Sequence, residues 1–226
     1  MRPQGYRRGM IRKHHDHAEC AIISDEQTAN INNEWLKREH SRRGYTHLWN
    51  SITEEVTKMK NIRKTTDWME MALEDMDAAV ADVTEERYPA SVFHAQQCTE
   101  KLLKAVLYFF GIIHEKTHFP SDILAEDILN NPEMTREFQL DKEKIELLLK
   151  MVDNASSLEK HRSMPRYGWE TKDRIIKPSE IYDELKAKEI MNQALKTLDA
   201  VYAFFKSLDM VELEDVLVEM ERCLKR

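Results

Sequence analysis

The sequence predicts an all-α fold, an up-and-down antiparallel bundle of four to five main helices preceded by a loosely ordered N-terminal extension. The 226 residues include only five glycines and six prolines, too few for the frequent turns of a β-sandwich or barrel. Apolar residues also recur at the 3.6-residue period of amphipathic helices through most of the chain. The composition, 42% hydrophobic and 33% charged, suits a packed core with a highly charged surface.

The N-terminal part is expected to differ from the rest of the chain. Residues 1–62 are predicted to form the extension, partly helical or flexible, because their polarity is mixed and their apolar residues show little periodicity. Residues 63–226 are predicted to form the bundle. Its first helix is expected to begin near Thr66, where three consecutive side chains carry N-cap oxygens: Thr65, Thr66 and Asp67.

The second helix is expected to run from about Ala90 to Phe110. Pro89 marks the boundary before it, because the residue that precedes a proline is disfavoured in the α region. Gly111 follows it as a C-terminal stop, since glycine readily adopts the left-handed conformation that ends many helices. A short helix is then expected near Ile123–Leu129.

Three longer segments complete the prediction. A helix is expected over residues 141–158, a long loop over residues 158–177, and another helix from Pro178 to about Leu208. A last helix carries an apolar stripe that either closes the bundle or forms an interface with another chain: Leu213, Leu217, Met220 and Leu224.

The charge is distributed unevenly. Residues 1–50 hold nine Lys and Arg against six Asp and Glu, so they carry +3 of the net charge of −7 and leave −10 for the remainder. The predicted bundle is therefore acidic, and a broad nucleic-acid-binding face is not expected on it. The sequence shows neither a membrane-spanning run nor the apolar core of a signal peptide, which predicts a cytoplasmic protein without membrane contact.

Cofactor and metal sites are not indicated by the sequence. The three cysteines, Cys20, Cys98 and Cys223, have no CxxC spacing, and no nucleotide-phosphate or metalloprotease motif is present. The N-terminal run HHDH (residues 14–17) consists of neighbouring side chains, which cannot readily close a tetrahedral site. We therefore expect no cofactor and no structural metal.

Residues 66–208 resemble the HEPN domain of prokaryotic nucleotidyltransferase-associated proteins. The resemblance depends on Tyr88 near the start of the second helix, on the run AQQCTEKLLKAVL from Ala95 to Leu107, and on the pair Thr117-His118. It implies a helical bundle that forms a homodimer and binds a nucleotide, RNA or a protein partner. A minimal nucleotidyltransferase is the expected partner, as in toxin–antitoxin pairs. An alternative function is that of a purely structural helical adaptor.

The predicted loop is the best candidate for a ligand-binding surface. Residues 158–177 carry six Lys and Arg against three Asp and Glu, with two aromatic residues among them. Arginine forks and aromatic rings suit phosphates and bases. The alternative is a solvated loop that its aromatic side chains anchor to the bundle. With one lysine of the second helix added, the candidate ligand-binding residues are Arg162, Arg166, Tyr167, Trp169 and Lys104.

Catalysis is less clearly indicated. Nucleases of the family carry an Arg-x4-6-His motif on a later helix, where histidine takes the ribose 2′-OH proton and arginine stabilises the phosphate charge. The late region has the reverse order, with His161 before Arg162 and Arg166, and the formal matches elsewhere are Arg42–His47 and Arg87–His94. The alternative function is thus a metal-independent RNase whose candidate catalytic residues are His161, Arg162 and His118. A structural interpretation of His118 is also open, in which it bonds a carbonyl at the preceding helix end.

Overall fold

The structure is a computed structural model that describes residues 46–112, 117–161 and 163–225, the first fifteen of them by their helical backbone alone. Its helices are α1 (Thr46–Thr84), α2 (Tyr88–Phe109), α3 (Pro120–Ile123), α4 (Pro132–Glu137), α5 (Lys142–Glu159), α6 (Met164–Tyr167), α7 (Pro178–Ile181), α8 (Glu184–Lys206) and α9 (Glu214–Leu224). A π-helical segment (Leu124–Leu129) follows α3, and a 3-10 turn (Val211–Leu213) precedes α9. Strands β1 (Trp169–Glu170) and β2 (Ile175–Ile176) pair antiparallel.

The predicted all-α bundle is confirmed. Helix α8 packs against α5, α2 and α9, and α2 also packs against α5. Two side-chain contacts show that α1 and α2 are antiparallel. Ser91 at the start of α2 donates to the carbonyl of Ala79 late in α1 at 2.9 Å, while the Thr65 hydroxyl of α1 lies 3.3 Å from the carbonyl oxygen of Ala105 late in α2.

The predicted start of the first helix near Thr66 is wrong, because α1 begins at Thr46 and passes through that point. The threonine hydroxyls there do not cap a helix. Thr65 donates to the carbonyl of Asn61 at 2.8 Å, and Thr66 donates to that of Ile62 at 3.1 Å, the i−4 bonding of threonine inside a helix. Residues 54–226 form one compact unit, and the boundary predicted near residue 62 falls inside α1.

Helix α2 follows its predicted limits closely. It begins at Tyr88, with Pro89 in its first turn, where a missing N–H removes no helical hydrogen bond. It ends at Phe109, and Gly111 has a φ of +78°, a left-handed conformation that favours glycine. The apolar face between these ends is fully buried, including Ala95, Cys98, Leu102, Ala105 and Val106. Burial raises the pKa of the Cys98 thiol well above its usual value, so this cysteine serves as a small apolar side chain.

Aromatic rings fill one region of the core. The Phe204 ring of α8 lies 5.3 Å from that of Phe205 and 5.9 Å from that of Phe110, and the Phe110 ring contacts Phe138 at 4.7 Å in edge-to-face geometry. Phe204 and Phe205 are completely buried. This cluster joins the end of α2 to α8.

The later helices differ from the prediction in one respect. Helix α5 closely matches its predicted span, and Asp141 caps it by accepting from the backbone N–H of Lys144 at 2.9 Å. The single helix predicted from Pro178 to about Leu208 is divided into α7 and α8. The break lies at Tyr182, whose side chain is only 1% exposed, and Asp183 caps α8. Tyr182 is thus buried at the point where its extended backbone interrupts the helix.

The last helix closes the bundle. Its residues Leu217 and Met220, together with Leu213 in the turn before it, are buried in the common core. Val218 lies on the opposite face and is 52% exposed. Among the described residues, no helix has the length and apolarity that crossing a membrane would need.

Candidate functional site

A cleft of about 460 Å³ lies beside α2 and is lined by side chains from several parts of the bundle. We call it the α2 cleft. One wall is a single face of α2, which contributes Phe93, Gln96, Gln97 and Glu100. The spacing of Phe93, Gln97 and Glu100 puts them on successive turns of the helix. Gln96, Gln97 and Glu100 of this face belong to the run that carries the family resemblance.

Glu100 is held in place by a lysine that lies behind it, outside the cleft. Its Oε1 accepts from Lys104 Nζ at 2.7 Å, and the same ammonium lies 5.0 Å from the centre of the Trp68 ring. Lys104 itself is not among the residues that line the cleft, and its side chain is only 14% exposed. The structure therefore places this predicted ligand-binding residue behind Glu100, where its charge is already engaged.

His118 lies at the mouth of the α2 cleft. Its side chain is 82% exposed, and its Nδ1 lies 3.5 Å from Glu100 Oε1. The turn before α3 is supported by the neighbouring threonine, since Thr117 Oγ1 accepts from the backbone N–H of Phe119 at 3.0 Å. The hydrogen bond expected from His118 to a carbonyl of the preceding helix end is absent from the contacts of the described residues. Thr117 thus has the structural role, and His118 faces the cleft.

A buried carboxylate forms part of the opposite wall. Glu159, at the end of α5, is 7% exposed; its Oε1 accepts from the backbone N–H of Ser121 at 3.1 Å and its Oε2 from the Ser121 hydroxyl. Burial raises the pKa of Glu159, although the two bonds from Ser121 act in the other direction. The pair fixes α3 to the end of α5 and thereby sets the width of the cleft.

Arg166 closes the cleft from α6. Pro165, the residue before it, is buried and fixes this short helix against the bundle, while the arginine side chain is exposed. The guanidinium carbon lies 4.9 Å from the centre of the Phe93 ring and 5.2 Å from that of Tyr167. Among the described residues, no carboxylate forms an ion pair with Arg166. Its charge therefore remains available to an anionic ligand.

Residues 158–177, which were predicted to form a loop, contain regular secondary structure. They include α6 and the β1–β2 hairpin, in which Trp169 pairs with Ile176. Gly168, between α6 and β1, has a φ of +75°, and a Cβ there would lie 2.1 Å from the carbonyl oxygen of Ile176. Only glycine fits this position. We refer to residues 164–177 as the hairpin arm.

The aromatic residues of the hairpin arm point to solvent. Tyr167 is 67% exposed and Trp169 is 55% exposed, so the alternative that they anchor a loop to the bundle is wrong. They line a second cleft of about 600 Å³ together with Lys160 and Ser163. Ser163 also lines the α2 cleft, so the two clefts adjoin.

The other predicted candidates do not meet at this site. Arg162 and Arg42 lie outside the described residues. His161 lines neither cleft; its Nδ1 lies 3.1 Å from the hydroxyl of buried Tyr182. Burial and, secondarily, the nearby Lys186 lower the pKa of His161, and burial raises that of Tyr182 to about 12. This histidine therefore packs as a neutral partner of the tyrosine.

The formal Arg87–His94 match is engaged with acidic side chains of α1. Arg87 pairs with Asp82 at 2.6 Å and also with Glu85. His94 places Nδ1 3.3 Å from Asp75 and Nε2 3.7 Å from Asp82. Neither residue lines the α2 cleft. His47, of the other formal match, lies in the part of α1 described by its backbone.

Of the residues that line the cleft, the sequence identified only His118 and Arg166 as candidates. Phe93 and Glu159 carry no local signal, because their roles depend on tertiary contacts with Arg166 and Ser121. Gln96 lies in the run that carries the family resemblance, but its sequence position alone does not show that it lines a cleft. Its Oε1 is buried without a hydrogen-bond partner among the described residues. Within residues 46–112, 117–161 and 163–225, no group of three or more His, Cys, Asp or Glu side chains is arranged to hold a metal ion.

A match to a known family identifies the type of domain. The HEPN domain family matches residues 65–208. A protein of Methanocaldococcus jannaschii named "Putative toxin MJ1304" is 32% identical over 146 residues, which are 65% of this chain and 91% of that protein. The crystal structure of ST0689, an archaeal HEPN homologue, has a TM-score of 0.43 and 25% sequence identity, and the match covers 62% of this chain and 95% of the other.

Proposed function

Because the chain belongs to the HEPN domain family, we propose that it is a toxin-type module that binds single-stranded RNA, with one nucleotide in the α2 cleft. The observation that carries this proposal is Arg166, a guanidinium without an ion-pair partner among the described residues, stacked on Phe93 at the entrance of a cleft lined by two amides and two carboxylates. Arginine in this setting can contact a phosphate and stack on a base.

The exposed rings next to the α2 cleft support RNA over an isolated nucleotide. Tyr167 and Trp169 line the adjoining cleft, and Lys160 contributes a positive charge there. Aromatic side chains bind successive bases of a single strand by stacking on them, with little dependence on sequence. One base in the α2 cleft and a second on Trp169 would follow from this arrangement.

The test is a titration of the protein with a short single-stranded RNA of mixed sequence. We expect the RNA to quench the fluorescence of Trp169, because stacking on a base changes the environment of the indole. A Trp169→Phe variant, which keeps an aromatic ring, should bind with similar affinity and lose the quenching. The chain contains four tryptophans, so this variant assigns the signal. Absence of RNA binding at low salt, measured by anisotropy of labelled RNA, would overturn the proposal.

The partners follow from the family and from the relative named as a toxin. We propose a homodimer whose activity is controlled by an antitoxin, with a minimal nucleotidyltransferase as the expected class of antitoxin. The support is the 32% identity to that relative over most of its length.

A second candidate function is RNA cleavage without a metal, with His118 as the base. The observation that favours it is that His118 and Arg166 line the same cleft, whereas His161 bonds Tyr182 and lines neither cleft. If the protein cleaves RNA, His118→Ala should reduce the rate by about 10²- to 10⁴-fold, the usual contribution of a general base. His161→Asn, which keeps an acceptor for Tyr182, serves as the control and should cleave normally. Cleavage by His118→Ala at the rate of the unaltered protein would exclude this role.

A further inference from the structure

The wall that α2 contributes to the cleft carries acceptor oxygens, and one of them has no donor among the described residues. Gln96 Oε1 is buried and has no hydrogen-bond partner among the described residues. Glu100, one turn later, lines the same wall with its carboxylate, and its contacts with Lys104 and His118 both use Oε1. A buried acceptor without a donor costs free energy, so a ligand that brings N–H groups to this wall gains from satisfying it.

We infer that the α2 cleft selects guanine among the RNA bases; this rests on the proposed function. The Watson–Crick edge of guanine carries two adjacent donors, the ring N1–H and the exocyclic 2-amino group, which suit a carboxylate and a neighbouring amide oxygen. Adenine and cytosine each present an amino group beside an unprotonated ring nitrogen, which a carboxylate repels. Uracil presents one N–H between two carbonyl oxygens, and a carboxylate repels these oxygens as well.

The remaining lining residues are suitable for a flat heterocycle. The Phe93 ring, covered by the Arg166 guanidinium at 4.9 Å, provides a stacking surface at one side of the cleft, and Phe119 lines it from the turn before α3. His118 and Arg166 provide donors for the guanine O6 or for a phosphate.

A lysine or arginine side chain from another protein would also bring N–H groups to these oxygens. Arg166 repels such a cation, whereas Glu100 and Glu159 of the same cleft attract it, so charge alone does not separate the two occupants. The Phe93 ring in the cleft and the Tyr167 and Trp169 rings beside it offer stacking surfaces, which favour the base.

The first experiment compares short uridine RNAs that contain one central guanosine, inosine, adenosine or cytidine, with affinity measured by anisotropy. Inosine lacks only the 2-amino group, so it should bind about tenfold more weakly than guanosine, and adenosine and cytidine should bind at least as weakly. Equal affinity for the four RNAs would overturn the inference and leave RNA binding intact. If none of them binds, the proposed function itself fails.

The second experiment tests whether one substitution shifts the base preference from guanosine towards adenosine. Glu100→Gln replaces one acceptor oxygen by an amide N–H₂, and an amide that donates and accepts matches adenine. We expect the ratio of guanosine to adenosine affinity to fall by about tenfold or more in this variant. A guanosine preference that persists in Glu100→Gln would overturn the inference.

Glu184→Gln is the matched control for this exchange. It breaks an ion pair of the same i, i+4 kind, with Lys188 on the exposed face of α8, and leaves the cleft residues unchanged. This variant should keep the preference for guanosine. Thermal unfolding of both variants, followed by circular dichroism, shows whether the bundle is retained.

Discussion

Replacing Arg166 by glutamine is expected to weaken RNA binding by about 10- to 100-fold, which corresponds to about 1–3 kcal/mol. The substitution removes the guanidinium that covers Phe93 and leaves the α2 cleft without its exposed positive charge. Anisotropy titrations at several salt concentrations measure the effect. The slope of log affinity against log salt should decrease by about one as well, because one phosphate contact is lost.

Arg174→Gln provides the control for that measurement. Arg174 lies on the same hairpin arm, and its guanidinium already pairs with Glu180 at 2.8 Å. The two variants lose the same charge, so a general electrostatic effect would weaken binding equally in both. We expect Arg174→Gln to bind within about twofold of the unaltered protein, since this guanidinium is already paired with Glu180 and lines neither cleft. Equal losses in the two variants would contradict a specific role for the α2 cleft.

Replacing Phe204 by alanine is expected to lower the free energy of unfolding by about 3–5 kcal/mol. The Phe204 side chain is completely buried, and its ring contacts those of Phe109, Phe110 and Phe205 at 5.3 to 6.2 Å. Its loss would leave a cavity between α2 and α8 that the surrounding rings cannot fill. Denaturation in urea, followed by the helical circular dichroism signal, measures the change.

Leu185→Ala is the matched control on α8. Leu185 is 80% exposed, so its truncation should change the free energy of unfolding by less than about 0.5 kcal/mol. A small loss for Phe204→Ala, comparable to that of the control, would mean that the aromatic cluster does not hold α2 and α8 together.

The fold was largely predictable because its main signals are local. Pro89 and Gly111 enclose an unbroken apolar stripe, and α2 begins within two residues of its predicted start. The start of α1 was not predictable in the same way. Threonine can cap a helix or bond to a carbonyl inside one, and only the tertiary structure shows that Thr65 does the latter.

The candidate site was predictable only in part. Charge and aromatic content identified Arg166, Tyr167 and Trp169, and the resemblance identified His118. Periodicity could not indicate the hairpin, because its strands contain two residues each. It also could not show that α2 and α6 form one cleft, since Phe93 and Arg166 meet only after the bundle has folded.

The hairpin arm is fixed at both of its ends. Pro165 is buried near its start, and Tyr182 is buried shortly after it, while Arg174 bonds Glu180 of α7 with both carboxylate oxygens. A strand of RNA would thus meet Tyr167 and Trp169 on a support that is already ordered before contact. Little conformational entropy would be lost on the protein side, so even weak stacking could yield measurable affinity.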